Sequence, residues 1–220
     1  MPEPGTVLDA LERRAAAFGL AMRGACHDAR GTIVLLGFTG SVQWPAFAAS
    51  PEAHDGAPHP LDRWSRRSVD ALAREFGAVA SCPNDSPALP FQQLAQRCEP
   101  VYPSPLGLLI HPDWGLWHAW RGALIFPQRL ALPPLVRQPH PCERCTARPC
   151  VPACPVDAFG SGTLDVAACV SHVQSAAGLD CRDLGCRARR ACPVGTQHAY
   201  SPDQARFHLA AFVRAVRRAG

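Results

Sequence analysis

The sequence predicts an α+β protein: an N-terminal α/β body on a mixed or antiparallel sheet, then a cysteine-rich segment, then a C-terminal helix. Three observations predict it. Apolar residues in the first part switch between helical and strand spacing. Eight of the eleven cysteines are crowded between Cys142 and Cys192. The last stretch returns to helical spacing. The expected division is 1–138 for the α/β domain, 139–200 for the cysteine-rich domain, and 201–220 for a helix packing back on the body.

The elements follow in order. Leu8, Leu11, Ala15 and Phe18 share one face of a helix over 7–19. Leu20–Ala25 and Thr32–Phe38 are apolar runs separated by Asp28-Ala29-Arg30-Gly31, a turn signal, which predicts a β-hairpin. Residues 41–60, rich in Pro, Ala and His, predict a loop with a short helix. Asp62–Phe76 predicts a helix, Gly77–Cys82 a strand, and Pro90–Cys98 another short helix. Leu106–Ile110 and Leu116–Phe126 flank the turn His111-Pro112-Asp113-Trp114-Gly115, which predicts a hairpin in the middle of a sheet. A Pro-rich linker, Pro127–Pro141, follows. Phe207, Ala210, Ala211, Val213 and Val216 place a helix between Pro202 and Ala219.

Composition narrows the function. The chain is 47% hydrophobic and 18% charged, which supports a buried core. Its net charge is +4, with small clusters at Arg187, Arg189 and Arg190 and at Arg214, Arg217 and Arg218. That is not the dense basic face of a nucleic-acid protein, so no nucleic-acid partner is expected. The N-terminus has early acidic residues and no uninterrupted apolar core of a signal peptide. No apolar run is long enough to span a bilayer, so no membrane partner is expected and the expected location is the cytoplasm. In a reducing compartment, clustered cysteines favour metal ligation over disulfides, and an odd total argues against complete pairing. Cys26, Cys82 and Cys98, outside the crowded segment, are expected to be buried free thiols.

The first cysteine run is Cys142-Glu143-Arg144-Cys145-Thr146-Ala147-Arg148-Pro149-Cys150-Val151-Pro152-Ala153-Cys154-Pro155. It is similar to the bacterial ferredoxin run C-x2-C-x2-C-x3-C-P. It keeps the first gap, the x3 gap and the closing proline, with two extra residues before Cys150. A cubane cluster needs one thiolate at each of four irons. A looping segment wraps three corners, and its fourth cysteine points away along a departing helix to the other cluster. Pro155, with fixed φ and no N–H, suits the first turn of such a helix. Cys169, Cys181, Cys186 and Cys192, with Pro193 after the last, supply a second set. Crossing then assigns Cys142, Cys145, Cys150 and Cys192 to one [4Fe–4S] cluster and Cys154, Cys169, Cys181 and Cys186 to the other. Zinc is the alternative occupant, but zinc ribbons usually offer two C-x2-C knuckles, and only Cys142/Cys145 has that form. A [3Fe–4S] site stays open if Cys169 or Cys181 does not ligate.

The stretch Leu106-Gly107-Leu108-Leu109-Ile110-His111-Pro112-Asp113-Trp114-Gly115-Leu116-Trp117, followed by the cysteine run, resembles the epoxyqueuosine reductase family and the related corrinoid reductive dehalogenases. Ala168-Cys169-Val170-Ser171-His172 resembles their lone cysteine between two motifs, which in that family ligates the second cluster. Gly185-Cys186 and Cys192-Pro193 resemble their closing motif. The family has a C-x2-C pair there; this chain has Arg189 three residues after Cys186, so Cys181 would stand in for the missing ligand. The family's acidic catalytic residue and the Gly-rich segment before its hairpin have no counterpart here. The resemblance implies a dicluster electron-carrying module on an α/β body.

Two functions are expected from these readings. One is an iron–sulfur electron-transfer protein serving a redox partner protein, with Arg144, Arg148 and Arg187 as contacts. The other is a reductase whose N-terminal part binds a corrinoid, a flavin or a substrate. For the latter, His111, Trp117 and Arg121, among the aromatic and basic residues Trp114, His118 and Trp120, are candidates for a cofactor wall. The same residues also fit a hydrophobic core with a turn histidine.

Overall fold

The computed structural model describes residues 4–160 and 162–219. Along the chain run α1 (Pro4–Ala17), β1 (Ala21–Asp28), β2 (Gly31–Thr39), α2 (Trp44–Ala48), α3 (Pro51–His54), α4 (Pro60–Phe76) and β3 (Val79–Ser81). Then come α5 (Phe91–Cys98), β4 (Tyr102–Pro103), β5 (Leu109–Ile110) and β6 (His118–Phe126). After a long irregular stretch follow α6 (Val166–Gln174), α7 (Leu179–Leu184), α8 (Arg187–Arg190) and α9 (Pro202–Ala219). The fold is α+β, and its larger sheet is antiparallel throughout.

The chain forms two compact units that do not follow linear order. The first takes Met1–Pro100 with His118–Arg137, the second Val101–Trp117 with Gln138–Gly220. The stretch 101–117 thus joins the cysteine-rich part, and α9 belongs there too, packing against α7.

In the first unit the strand order is β1-β2-β6-β3. The β1–β2 hairpin closes on Asp28 opposite Gly31. The Asp28 carboxylate accepts the Arg30 amide at 2.8 Å, a short polar turn of the kind that seeds hairpins. Gly31 has φ 127, and a Cβ there would stand 2.1 Å from the Phe126 carbonyl, so only glycine lets β6 come this close. Residues 31–38 of β2, the inner strand, are buried without interruption. This explains why its sequence is an apolar run rather than an alternation. Helix α4 starts with Pro60 and ends on Gly77 in the left-handed region, as helix termini favour. Its Trp64 meets Phe38 of β2 (5.7 Å) and Phe47 of α2 (5.9 Å) in an aromatic layer. Val69 fills the space left by Gly122 of β6.

Helix α5 lies against β1. A Cβ on Gly24 would stand 2.4 Å from the Cys98 carbonyl, and a disulfide joins Cys26 to Cys98. This corrects the expectation of free thiols at both positions: strand and helix, 72 residues apart, bring the sulfurs together. Cys82 is a free, buried thiol. Beside this contact, Arg23 donates to the Phe38 carbonyl (2.6 Å) and to Glu99 (2.7 Å), and Glu99 also accepts from the Trp120 indole (2.6 Å).

The expected central hairpin is not formed. Strand β5 pairs with β4, Tyr102 opposite Ile110, while β6 pairs with β2 and β3. A close bridge between His111 and Gly115 turns the chain between them. The reason is that β2 and β3 occupy both edges of β6, leaving none for β5.

The second unit is built largely from turns. Its buried core is Leu106, Ile110, Leu116, Cys150, Ala188 and Cys192, with Cys142, Cys154 and Cys186 packed against it. Cysteine sulfurs therefore form much of the apolar interior. Helix α6 is capped by Asp165, whose carboxylate accepts the Ala168 amide at 2.9 Å. Among the described residues, no helix is long and apolar enough to cross a membrane.

Candidate metal centre

From His140 the chain winds in a series of three-residue turns. His140 Nδ1 accepts the Cys142 amide at 3.2 Å. Amide-to-carbonyl bonds then run from Cys145 to Cys142, Arg148 to Cys145, Val151 to Arg148, and Cys154 to Val151, all between 3.2 and 3.4 Å. The turns bring Cys142, Cys145 and Cys150 to one cavity, while Cys154 falls among Cys169, Cys181 and Cys186. Arg148 stands in the left-handed region (φ 40) directly before Pro149. This reversal accommodates the two extra residues, and Cys150 is buried facing the same cavity.

Cys142, Cys145, Cys150 and Cys192 line one small open cavity, together with Pro105, Ile110, Pro141, Arg148, Pro193 and Val194. Burial pushes the Cys142 thiol up, and the neighbouring Cys192, Cys150 and Cys145 add to the rise. The other four thiols form a second neighbourhood. Cys169 is pushed up to about 11, first by burial and then by Cys186, Cys154 and Cys181. Burial likewise raises Cys186, with Cys181 and Cys154 contributing. All eight are free thiols. Among the described residues, no three His, Cys, Asp or Glu side chains close around the position of a single metal ion.

Several backbone amides point at these sulfurs. The Ala158 amide donates to Cys154 Sγ at 3.3 Å. The amides of Ala188 and Arg189 favour the charged form of Cys186, those of Cys150 and Val151 the charged form of Cys150, and that of Val194 the charged form of Cys192. Oriented N–H dipoles of this kind stabilise concentrated negative charge on sulfur.

Helix α8 spans the gap between Cys186, of one neighbourhood, and Cys192, of the other. Arg189 holds it in place. Its guanidinium lies 4.6 Å from the Trp117 ring and 4.3 Å from the Tyr200 ring, and Nε donates to the Leu116 carbonyl at 3.0 Å. Asp180 pairs with both Arg187 (3.5 Å) and Arg190. A Cβ on Gly115 would stand 1.9 Å from the Val194 carbonyl, so glycine there lets the 111–117 turn press against the chain just after Cys192. Nothing in the local spacing signals the Arg189 stack or the sulfur-directed amides, because both depend on chain segments far apart in sequence.

The three cofactor-wall candidates are divided. His111 and Trp117 lie in the second unit, Arg121 on β6 in the first. His111 is buried, stacks on Trp114 at 4.0 Å, and accepts the Asp113 amide at 3.0 Å. Trp117 is buried beneath Arg189. Arg121 reaches Asp62 at 3.6 Å.

No described protein family matches the sequence, and no curated protein does. Its fold is similar to solved structures of epoxyqueuosine reductase. The Streptococcus thermophilus enzyme is 14% identical with a TM-score of 0.53, covering 91% of this chain and 70% of that one. An epoxyqueuosine reductase solved with an epoxyqueuosine-modified tRNA-Tyr stem loop is 13% identical with a TM-score of 0.51, covering 92% and 71%. The Bacillus subtilis enzyme is also 13% identical with a TM-score of 0.51. At such identities the likeness shows a shared fold.

Proposed function

We propose that this chain is an iron–sulfur electron-transfer protein carrying two [4Fe–4S] clusters. Cys142, Cys145, Cys150 and Cys192 hold one, and Cys154, Cys169, Cys181 and Cys186 hold the other. The observation that carries the reading is the partition of eight free thiols into two groups of four, each drawing one cysteine from across the sequence. The donor set suits the group: soft thiolates are the usual ligands of iron–sulfur clusters, and backbone amides already face four of these sulfurs. When bound, the clusters supply one-electron chemistry. The protein's part is to hold the thiolates, exclude water with Leu106, Ile110 and Leu116, and direct amides at the sulfurs.

The test is anaerobic purification, with iron and acid-labile sulfide counted per chain and EPR taken after reduction. About eight irons with cubane signals are expected on the four-iron arithmetic. About four irons sinks the second cluster, and stoichiometric zinc without sulfide sinks both.

A second reading is a reductase with a cofactor or substrate site in the first unit. It is favoured by the extent of the fold likeness, which covers 92% of the chain and so extends well beyond the cysteine-rich part. Corrinoid or flavin absorption bands in the purified protein, or after reconstitution with cobalamin or flavin, would support it. Their absence in both leaves the electron carrier.

A further inference from the structure

We infer that the surface around Arg144 and Arg148 is a docking face for an acidic one-electron carrier protein, an inference that rests on the cluster reading above. Several arginines of the second unit are paired within it. Arg182, Arg187, Arg190 and Arg206 each lie within ion-pair distance of an aspartate: Asp183, Asp180, Asp180 and Asp203 respectively. Arg144 and Arg148 are exposed and, like Arg214, form no ion pair with an acidic side chain among the described residues, while the Arg148 charge favours the charged forms of Cys142 and Cys150.

Their position is specific. Arg144 immediately precedes Cys145, and Arg148 lines the same cavity as Cys142, Cys145, Cys150 and Cys192. Arg148 is held there at φ 40, a conformation that a non-glycine residue adopts only at a cost and that clusters at functional positions. Pro105, Pro141 and Pro193 border the cavity with side chains that lose little freedom when a partner covers them. A rigid rim with two exposed guanidinium groups beside the thiols is complementary to the acidic surface of a carrier protein. Such complementarity acts mainly on encounter and orientation, and it weakens with salt.

The probe is oxidised flavodoxin, an acidic FMN protein. Its binding to the full, anaerobically purified chain is measured by calorimetry across a salt series, with iron and sulfide counted on the same preparation. Wild type should bind more weakly as salt rises. Arg148→Glu should weaken binding about tenfold at low salt, and Arg144→Glu should act similarly. Arg214→Glu, an equal change of charge at an exposed position on α9, should stay within about twofold of wild type. Salt-independent binding by wild type, or equal losses for Arg148→Glu and Arg214→Glu with iron intact, overturns the docking face. A wild-type preparation without iron overturns the cluster reading instead, independently of the binding result.

Discussion

The guanidinium of Arg23 and the carboxylate of Glu99 meet at 2.7 Å with their side chains 0% and 2% exposed. Trp120 takes the second carboxylate oxygen and the Phe38 carbonyl takes a second guanidinium nitrogen, so the pair ties β1 to β2, β6 and the end of α5. Glu99→Gln leaves the arginine charge buried without its counter-ion. That should destabilise the chain by about 3–5 kcal/mol, seen as a lower urea midpoint. A loss under about 1 kcal/mol would show that the pair contributes no more than a surface bridge does.

The Cys26–Cys98 bond closes a long loop around most of the first unit. Peptide mapping of protein isolated without reductant should recover the two cysteines in one linked fragment. Cys98→Ser should then lower stability by roughly 4 kcal/mol on the loop-closure estimate, under non-reducing conditions only. Equal stability of the variant and the wild type without reductant would show the bond to be absent.

Cys154 and Cys192 exchange neighbourhoods: each sits with thiols remote from its own stretch of chain. On the two-cluster proposal, Cys154→Ser should disturb the cluster assigned to it with Cys169, Cys181 and Cys186. On the same proposal, Cys192→Ser should disturb the one assigned to Cys142, Cys145, Cys150 and Cys192. EPR of the two variants should therefore lose different signals. Loss of the same signal in both would reject the crossed arrangement.

Arg189 clamps α8 between Trp117 and Tyr200 while bonding the Leu116 carbonyl. Arg189→Leu should cost about 2 kcal/mol from the lost cation–π and hydrogen-bond contacts. Arg189→Lys should recover only part of it, since an ammonium has no planar face to stack. Urea unfolding followed by tryptophan fluorescence reads both; full recovery by lysine would mean that charge alone matters.

Most of this architecture is legible one segment at a time. Leu8, Leu11 and Ala15 mark α1, and all three are buried in it. Asp28 to Gly31 marks the first hairpin, and the apolar period after Pro202 marks α9. Their signals are local: turn chemistry and periodicity act within a few residues. The hairpin expected between Leu106 and Phe126 failed because strand pairing is settled by competition. The runs have the right composition, but β2 and β3 occupy both edges of β6.

The same division holds for the candidate metal centre. The spacing from Cys142 to Cys154 raises the expectation of metal chemistry, but the helix expected to depart at Pro155 is not formed: residues 155–160 run through turns, and the next helix starts at Val166. Sequence alone also determined the fold class. Only the tertiary structure decided that Val101–Trp117 joins the cysteine-rich unit, that Cys26 meets Cys98, and that Arg189 fixes α8 between the two thiol groups. Those are contacts between residues far apart in the chain. They form only when distant segments close against one another to bury apolar surface, and no local pattern of residues records that choice.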